Sequence, residues 1–395
     1  MKILGDILVA INAIWYYVIG FIIIWVLALL FKDKLKIDIE GPILMRRTLR
    51  LRDFIDSIAQ KSPRFWKLFM NIGIPVAVFF MGFTFYLIII ASTMILQSPQ
   101  IVPILPGVDY AGNPFYIPIA QGIIGLLTVI VVHEFAHGIL ARAEGVNIKS
   151  IGVLLLAIIP GAFVEPDEEE VKKVSRLSKL RIYAAGSIFN ITLAGITLAI
   201  VIVLSTFFIP AAFHSDGILI SSVIPKSPSD GVLQEGMIIS NINGVNIRNV
   251  SDYNAFRNKT KIGDVLSIQT NQGSYQVKLA SNPNNQSASY AGFRGSDHLV
   301  VNNNVAQTYG TILPWILYYL VDLLNYIWIL NFAIGTINLL PLKPLDGGLI
   351  FEELLSYRLS KKHVIPIVNS ISYIIAAILI INIIYAVGRG ILLNI

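Results

Sequence analysis

His133-Glu134-Phe135-Ala136-His137, set inside an apolar run from about Ile117 to Leu140, decides how this chain is read. Residues four apart on a helix lie about 40° from one another around its axis, so both imidazoles reach a single divalent ion. That is a zinc geometry. Glu134 falls on the flank of the same face, where a carboxylate holds and deprotonates water rather than binding the ion. The apolar residues on either side place this chemistry within a membrane-spanning helix.

The composition agrees. The 395 residues are 55% hydrophobic and 14% charged, with a mean hydropathy of +0.70, whereas soluble domains average about 25% charged residues. A polytopic membrane protein is expected. Cysteine is absent, which excludes a disulfide framework and a thiolate metal site and leaves His, Asp and Glu as ligands. The net charge of +6 comes from basic residues beside apolar runs, a pattern suited to anionic headgroups. The lipid bilayer is therefore a partner, no nucleic-acid motif is present, and nothing in the chain sets an oligomeric state.

About six transmembrane helices are expected. The first runs from Ile7 to Phe31 and is retained rather than cleaved. Lys32, Lys34, Lys36, Arg46, Arg47, Arg50 and Arg52 follow it, which puts that segment in the cytoplasm. Arg50 to Phe69, interrupted by Pro63, reads as an interfacial amphipathic helix or as an ordinary cytoplasmic connection. A second span from Ile72 to Leu96 leads to the loop Gln97 to Pro118, which has five prolines and no Lys or Arg and so lies outside. The third span returns inward with the histidines in its inner half, and Arg142 marks its cytoplasmic end.

Val146 to Val164 is apolar but interrupted by Gly152, Pro160 and Gly161, and it is too short to cross and return. It reads as a membrane-associated β-hairpin or re-entrant segment whose edge can hold an extended peptide. A charged cytoplasmic stretch from Glu165 to Arg181 precedes the fourth span, Ile182 to Ile209. Small residues at Ala184, Ala185, Gly186 and Ser187 permit close helix packing there. Asn190, polar in an apolar helix, either donates to a substrate carbonyl or bridges helices.

From Phe213 to about Asp297 short alternating runs and the turn Asn243-Gly244 read as a strand-rich domain placed outside. Asn282 to Asn304 reads as a linker or a mobile strand connection. The fifth span, Ile312 to Leu340, ends in Pro341-Leu342-Lys343-Pro344-Leu345-Asp346-Gly347-Gly348. Asp346 thereby arrives at the depth of the histidines. Beside two glycines it is a turn residue on one reading; as the third donor it completes a His-His-carboxylate set that leaves the open position a catalytic zinc needs. A sixth span runs from Val364 to Val387.

Three stretches together resemble the site-2 protease family of intramembrane zinc metalloproteases: His133 to His137, Ala185 to Asn190, and Asn338 to Gly348. Ser227 to Gly244 resembles part of a PDZ domain inserted between core spans, as in many members. The resemblance implies that His133, His137 and Asp346 bind Zn2+, that Glu134 is the general base and later proton donor, and that Asn190 and Asn338 contact the unwound substrate. Ser187 stands where the family often has proline. Gly217 to Ile220 is the expected carboxylate-binding turn of the PDZ groove.

The expected fold is thus a polytopic α-helical membrane protein with a membrane-associated β-hairpin and an inserted extracytoplasmic PDZ-like α+β domain. Its organisation is an N-terminal two-helix region with a basic cytoplasmic loop (1–116), the first part of a catalytic membrane core (117–212), the PDZ-like domain (213–297), a linker with the second part of the core (298–363), and a C-terminal transmembrane helix (364–395). The expected activity is hydrolysis of a peptide bond in or near the transmembrane segment of membrane-protein substrates. It takes place in the cell membrane, with the active site toward the cytoplasm. The alternative is a receptor or scaffold with a structural metal and PDZ-mediated peptide binding, but such zinc sites are usually closed by four protein ligands. A metal transporter would space its polar positions through the membrane depth, and here they share one layer.

Overall fold

The structure is a computed structural model that describes residues 18–41, 43–48, 51–95, 101, 106–107, 116–156, 159–282 and 285–393. The part of the predicted first span before residue 18, and most of the loop from Gln97 to Pro118, lie outside the described residues. In chain order the principal elements begin with α1 (Val18–Leu30), β1 (Asp38–Glu40), β2 (Ile43–Thr48), α2 (Arg52–Lys61), α3 (Pro63–Thr93), α4 (Ile119–Ala143), β3 (Ile148–Leu156), β4 (Ile159–Pro166) and α5 (Arg176–Val203). They continue with β5 (Phe213–Val223), β6 (Ile238–Ile242), α6 (Val250–Arg257), β7 (Val265–Thr270), β8 (Gly273–Lys278), β9 (Phe293–Val301), α7 (Ile312–Ile337), α8 (Asp346–Leu355) and α9 (Lys361–Leu393).

Among the described residues five helices are long and apolar enough to cross a membrane: α3, α4, α5 with its continuation to Ala212, α7 and α9. This is a multi-pass membrane protein by length and composition. The chain divides into two compact units, one made of the residues up to Ile200 with those from Asp322 on, the other of Val201–Val321.

In the first unit the hairpin expected at 146–164 is present as β3 and β4, and it belongs to a larger sheet. A second hairpin, β1 and β2, turns at Gly41 with φ +58°, and β2 pairs with β3 from Ile43↔Leu156 to Thr48↔Ile151. The strand order is β1-β2-β3-β4, so β4 is an edge. Asp38 to Thr48 is therefore sheet rather than plain cytoplasmic loop. Its arginines conceal the alternation: Leu44 is buried while Arg46 and Arg47 face out, and Arg47 is taken up by Asp38 at 2.7 Å across the turn.

Helix α2 packs part of its apolar face against α4 and β4. Ile55 and Ala59 are fully buried, because Gly138 on α4 has no side chain and the methyls of Ile55 and Val164 fill the space. Asp56 pairs with Arg142, and Gln60 Nε2 donates to the Arg142 carbonyl at 3.1 Å. Ile55 and Ala59 are thus spent on protein, while Phe54 on the same helix stays exposed. Pro63 ends the helix as its sequence suggests, and α3 begins with that residue at its first turn, where a missing N–H costs nothing.

The second unit holds an antiparallel sheet in the order β9-β5-β6-β7-β8. Its core is Ile218, Ile220, Met237, Ile239, Ile242, Ile247 and Ile268, each nearly or fully buried. Asn243 and Gly244 have φ of 51° and 83°, the left-handed pair that a tight hairpin turn requires. Two expectations fail here. Gly217 to Ile220 is the middle of β5, paired to β6 through Ile218↔Ile239 and to β9 through Asp297↔Ile218, so it is no carboxylate-binding turn. The supposed linker 282–304 contains the nine-residue strand β9, whose polar outward residues disguise it; Val301 is its buried end.

Candidate metal centre

The helical period of α4 stacks His133 and His137 on one face, with ring centroids 4.8 Å apart. Asp346 comes to them from the other end of the chain. The segment between α7 and α8 folds back so that Gly347 N–H donates to the Asn338 carbonyl at 2.8 Å. A Cβ at Gly347 would stand 2.1 Å from the Leu339 carbonyl oxygen and one at Gly348 would stand 2.7 Å from Lys343 N. Only glycine fits at either position, and the tight fold delivers Asp346 as the first residue of α8.

The two Nε2 atoms and the Asp346 carboxylate form a close triangle of three ligand groups, each histidine facing a different carboxylate oxygen. His133 Nε2 and His137 Nε2 are 3.3 Å apart, His133 Nε2 lies 3.3 Å from Asp346 Oδ2, and His137 Nε2 lies 3.4 Å from Asp346 Oδ1. Ligands about 2.0 to 2.1 Å from a tetrahedral zinc stand about 3.3 to 3.4 Å from each other. The residues therefore fit the ion. Among the described residues these are the one group of three or more His, Asp or Glu side chains with ligand atoms so converged.

Helix α5 orients all three. His137 Nδ1 lies 2.8 Å from the Ile182 carbonyl, which takes its proton and turns Nε2 to the donor triangle. The Asn190 amide is 3.3 Å from His133 Nδ1. The amide nitrogen faces that ring atom and Oδ1 is buried without a donor; a metal on Nε2 would leave the ring proton on Nδ1, and the amide would then meet it with Oδ1. Ser187 Oγ donates to Asp346 Oδ2 at 3.1 Å. Gly186 lies directly against the cluster, where a Cβ would come within 2.5 Å of His137 Nε2 and 2.6 Å of His133 Nε2.

Glu134 stands apart from the triangle, its Oε2 accepting from Val164 N at 2.9 Å. Asn338 is half-buried at the base of the Asp346 segment and supplies the carbonyl already named. Sequence reasoning did not assign roles to the Ile182 carbonyl, the Val164 N–H or Ser187. The first two are backbone groups with no residue signature, and Ser187 had been noted for replacing a proline.

Two cavities flank this centre. One of about 490 Å³ is lined by Lys34, Arg46, Ile151, Glu134, Phe135 and Val164, among others. The other, of about 370 Å³, reaches His137, Asp346, Glu168, Lys172 and Tyr183, and it too is lined by Val164.

The model of Peptidase family M50 matches residues 121–381, a stretch that contains the HExxH helix, α5 and the Asp346 segment. The chain belongs to peptidase family M50. This M50 peptidase is 29% identical over 345 residues to "Uncharacterized protein MJ0971" of Methanocaldococcus jannaschii, covering 85% of each chain. It is 27% identical over 135 residues to the membrane-bound transcription factor site-2 protease homolog of Arabidopsis thaliana, covering 34% of this chain and 26% of the plant protein. It is also similar to the PDZ domains of two SdrC-like proteins. The Listeria innocua structure has 22% identity and a TM-score of 0.19, covering 21% of this chain and 97% of that domain. The Listeria monocytogenes structure has 20% identity and a TM-score of 0.18, covering 23% and 92%.

Proposed function

We propose that this M50 peptidase hydrolyses a peptide bond in or near the transmembrane segment of membrane-protein substrates, with Zn2+ held by His133, His137 and Asp346. The observation that carries the reading is the convergence of His133 Nε2 and His137 Nε2, 3.3 Å apart, on the Asp346 carboxylate, whose Oδ2 and Oδ1 lie 3.3 and 3.4 Å from them in turn, with a second carboxylate, Glu134, one residue along the helix and outside the group. A bound zinc supplies Lewis acidity, lowering the pKa of water and polarising a carbonyl. Among the described residues there are three donors, which leaves room for water where a structural site is closed by a fourth ligand.

Glu134 acts as general base and then as proton donor. Its Oε2 is held by Val164 N–H, and Oε1 has no hydrogen bond among the described residues, so it is the oxygen that takes a proton from water and returns it to the leaving amide nitrogen. A substrate helix must first unwind, because its carbonyls are engaged and its backbone is shielded. Strand β4 is an edge of its sheet, and an extended segment added to that edge runs past Glu134. Asn338, half-buried beside the Asp346 segment, is the polar group for the unwound backbone, while Asn190 serves His133.

The basic residues around 32–67 support a cytoplasmic active site, and residues 213–297 are read as an extracytoplasmic PDZ-like domain. A model transmembrane substrate incubated with purified protein tests the reading: cleavage lost on chelation and restored by added zinc supports it, and cleavage indifferent to chelation defeats it.

A further inference from the structure

The cavity on the Glu134 side of Val164 is charged on one rim only. Lys34, Lys36 and Arg46 are exposed there, and none of the three has an ion pair among the described residues. Arg47 lines the same cavity but is engaged by Asp38 and Glu40. The floor is apolar or peptide backbone: Val131 and Phe135 of α4, Ile151 to Val153 of β3 and Ala162 to Val164 of β4. The cavity across Val164 differs. Glu168 is exposed in it, and its Lys172 is neutralised by Glu169 at 2.6 Å.

Both cavities end on Val164, the residue whose N–H holds Glu134. A peptide chain crossing the reactive carboxylate therefore leaves one flank in each cavity. One flank meets unpaired cations and the other does not. We propose that the cavity bordered by Lys34 and Arg46 is a charge-selective subsite that takes an extended substrate segment bearing Asp or Glu side chains immediately beside the scissile bond. This rests on the proteolytic reading above. Its floor favours a peptide over a lipid headgroup, since the β4 edge and Glu134 line it where a substrate backbone passes, and a phosphate gains nothing from either.

The test uses the full chain in nanodiscs. Peptides that carry a transmembrane segment flanked by Asp-Asp, Ser-Ser or Lys-Lys, on either side of the cleaved bond, are titrated by fluorescence anisotropy with the metal chelated, and the same peptides are then offered as substrates with zinc. On one side of the bond, Asp-Asp binds and is cleaved about fivefold to tenfold better than Lys-Lys, the size expected from one or two solvated ion pairs. Lys34→Glu and Arg46→Glu, each at an exposed position and combined in a Lys36→Gln background so that no third cation stays on the rim, reverse that order and leave the Ser-Ser peptide unchanged. Equal binding of all three peptides to the wild type overturns the subsite, as does discrimination that survives both substitutions. If the substitutions instead abolish only a dependence on phosphatidylglycerol in the nanodisc, the rim is a headgroup site and the proposal fails. Charge-dependent binding without any cleavage upholds the subsite and defeats the proteolytic reading, so the two fail separately.

Discussion

Val164 N–H donates to Glu134 Oε2 at 2.9 Å, joining the edge strand of the sheet to the helix that carries both histidines. A β-strand edge normally offers its N–H groups to another strand. Here one of them is spent on a carboxylate, and that carboxylate is thereby aimed along the line an added strand would take.

Val164→Pro removes this N–H and no ladder bond to β3, because the group points off the edge. Turnover should fall at least tenfold, about the cost of one lost hydrogen bond to a charged group, with zinc content unchanged. Single-turnover cleavage beside metal analysis checks it; undiminished turnover would show that the bond has no part in positioning Glu134.

Gly186→Ala places a methyl where the donor triangle now stands, 2.5 Å from His137 Nε2. The substituted protein should fold, since Gly186 neighbours Ala185 in a buried, small-residue stretch of α5, yet retain little zinc. Metal content by atomic emission against thermal stability separates the two effects.

Asn190 offers a way to tell a metal-orienting group from a substrate contact. Asn190→Ala should weaken zinc binding about 10-fold to 100-fold, the usual cost of removing a hydrogen-bond partner of a ligand, and Asn190→Asp, which keeps an acceptor for His133 Nδ1, should recover most of it. A change in KM with unaltered zinc affinity would instead assign Asn190 to the substrate.

Glu144 sits just past α4 with its side chain only 4% exposed, 2.7 Å from Arg181 and 3.4 Å from Lys67. Burial pushes its carboxyl up, but Arg181, Ser178 and Lys67 outweigh that and hold it below the usual carboxylate range. A depressed folded pKa stabilises the fold fully above the unfolded value, about 4.3 for Glu, and that stabilisation disappears as pH falls through the folded value. Glu144→Gln should therefore cost about 2 kcal/mol at neutral pH, less than a fully buried pair because Lys67 is solvated. The gap from wild type should close as pH falls below about 4. Thermal unfolding in detergent across that range tests it.

Much of the architecture follows from local signals. Hydropathy runs located the five long apolar helices found among the described residues, and helical period aligned His133 with His137, because both depend on residues within a turn or two of one another. The β3–β4 hairpin showed itself by Gly and Pro breaking an apolar stretch. What stayed hidden is non-local. Strands β1 and β2 need β3, more than 100 residues away, to become a sheet, and their arginines made them look like a loop. The Ser187 hydroxyl and Asp346 are separated by 159 positions, and the Ile182 and Val164 contacts use backbone atoms that any residue supplies. Helix α2 could be read as amphipathic, but which surface its apolar face covers is decided by the missing side chain at Gly138 on another helix.

In the proposed mechanism His133, His137 and Asp346 hold one zinc while Glu134 moves the proton. The direct measurement is zinc stoichiometry together with cleavage of a model transmembrane substrate, in wild type, Asp346→Ala and Glu134→Gln. One zinc per chain in wild type, loss of most of it in Asp346→Ala, and full zinc with no cleavage in Glu134→Gln is the predicted result. Full zinc in Asp346→Ala, or turnover retained in Glu134→Gln, would contradict it.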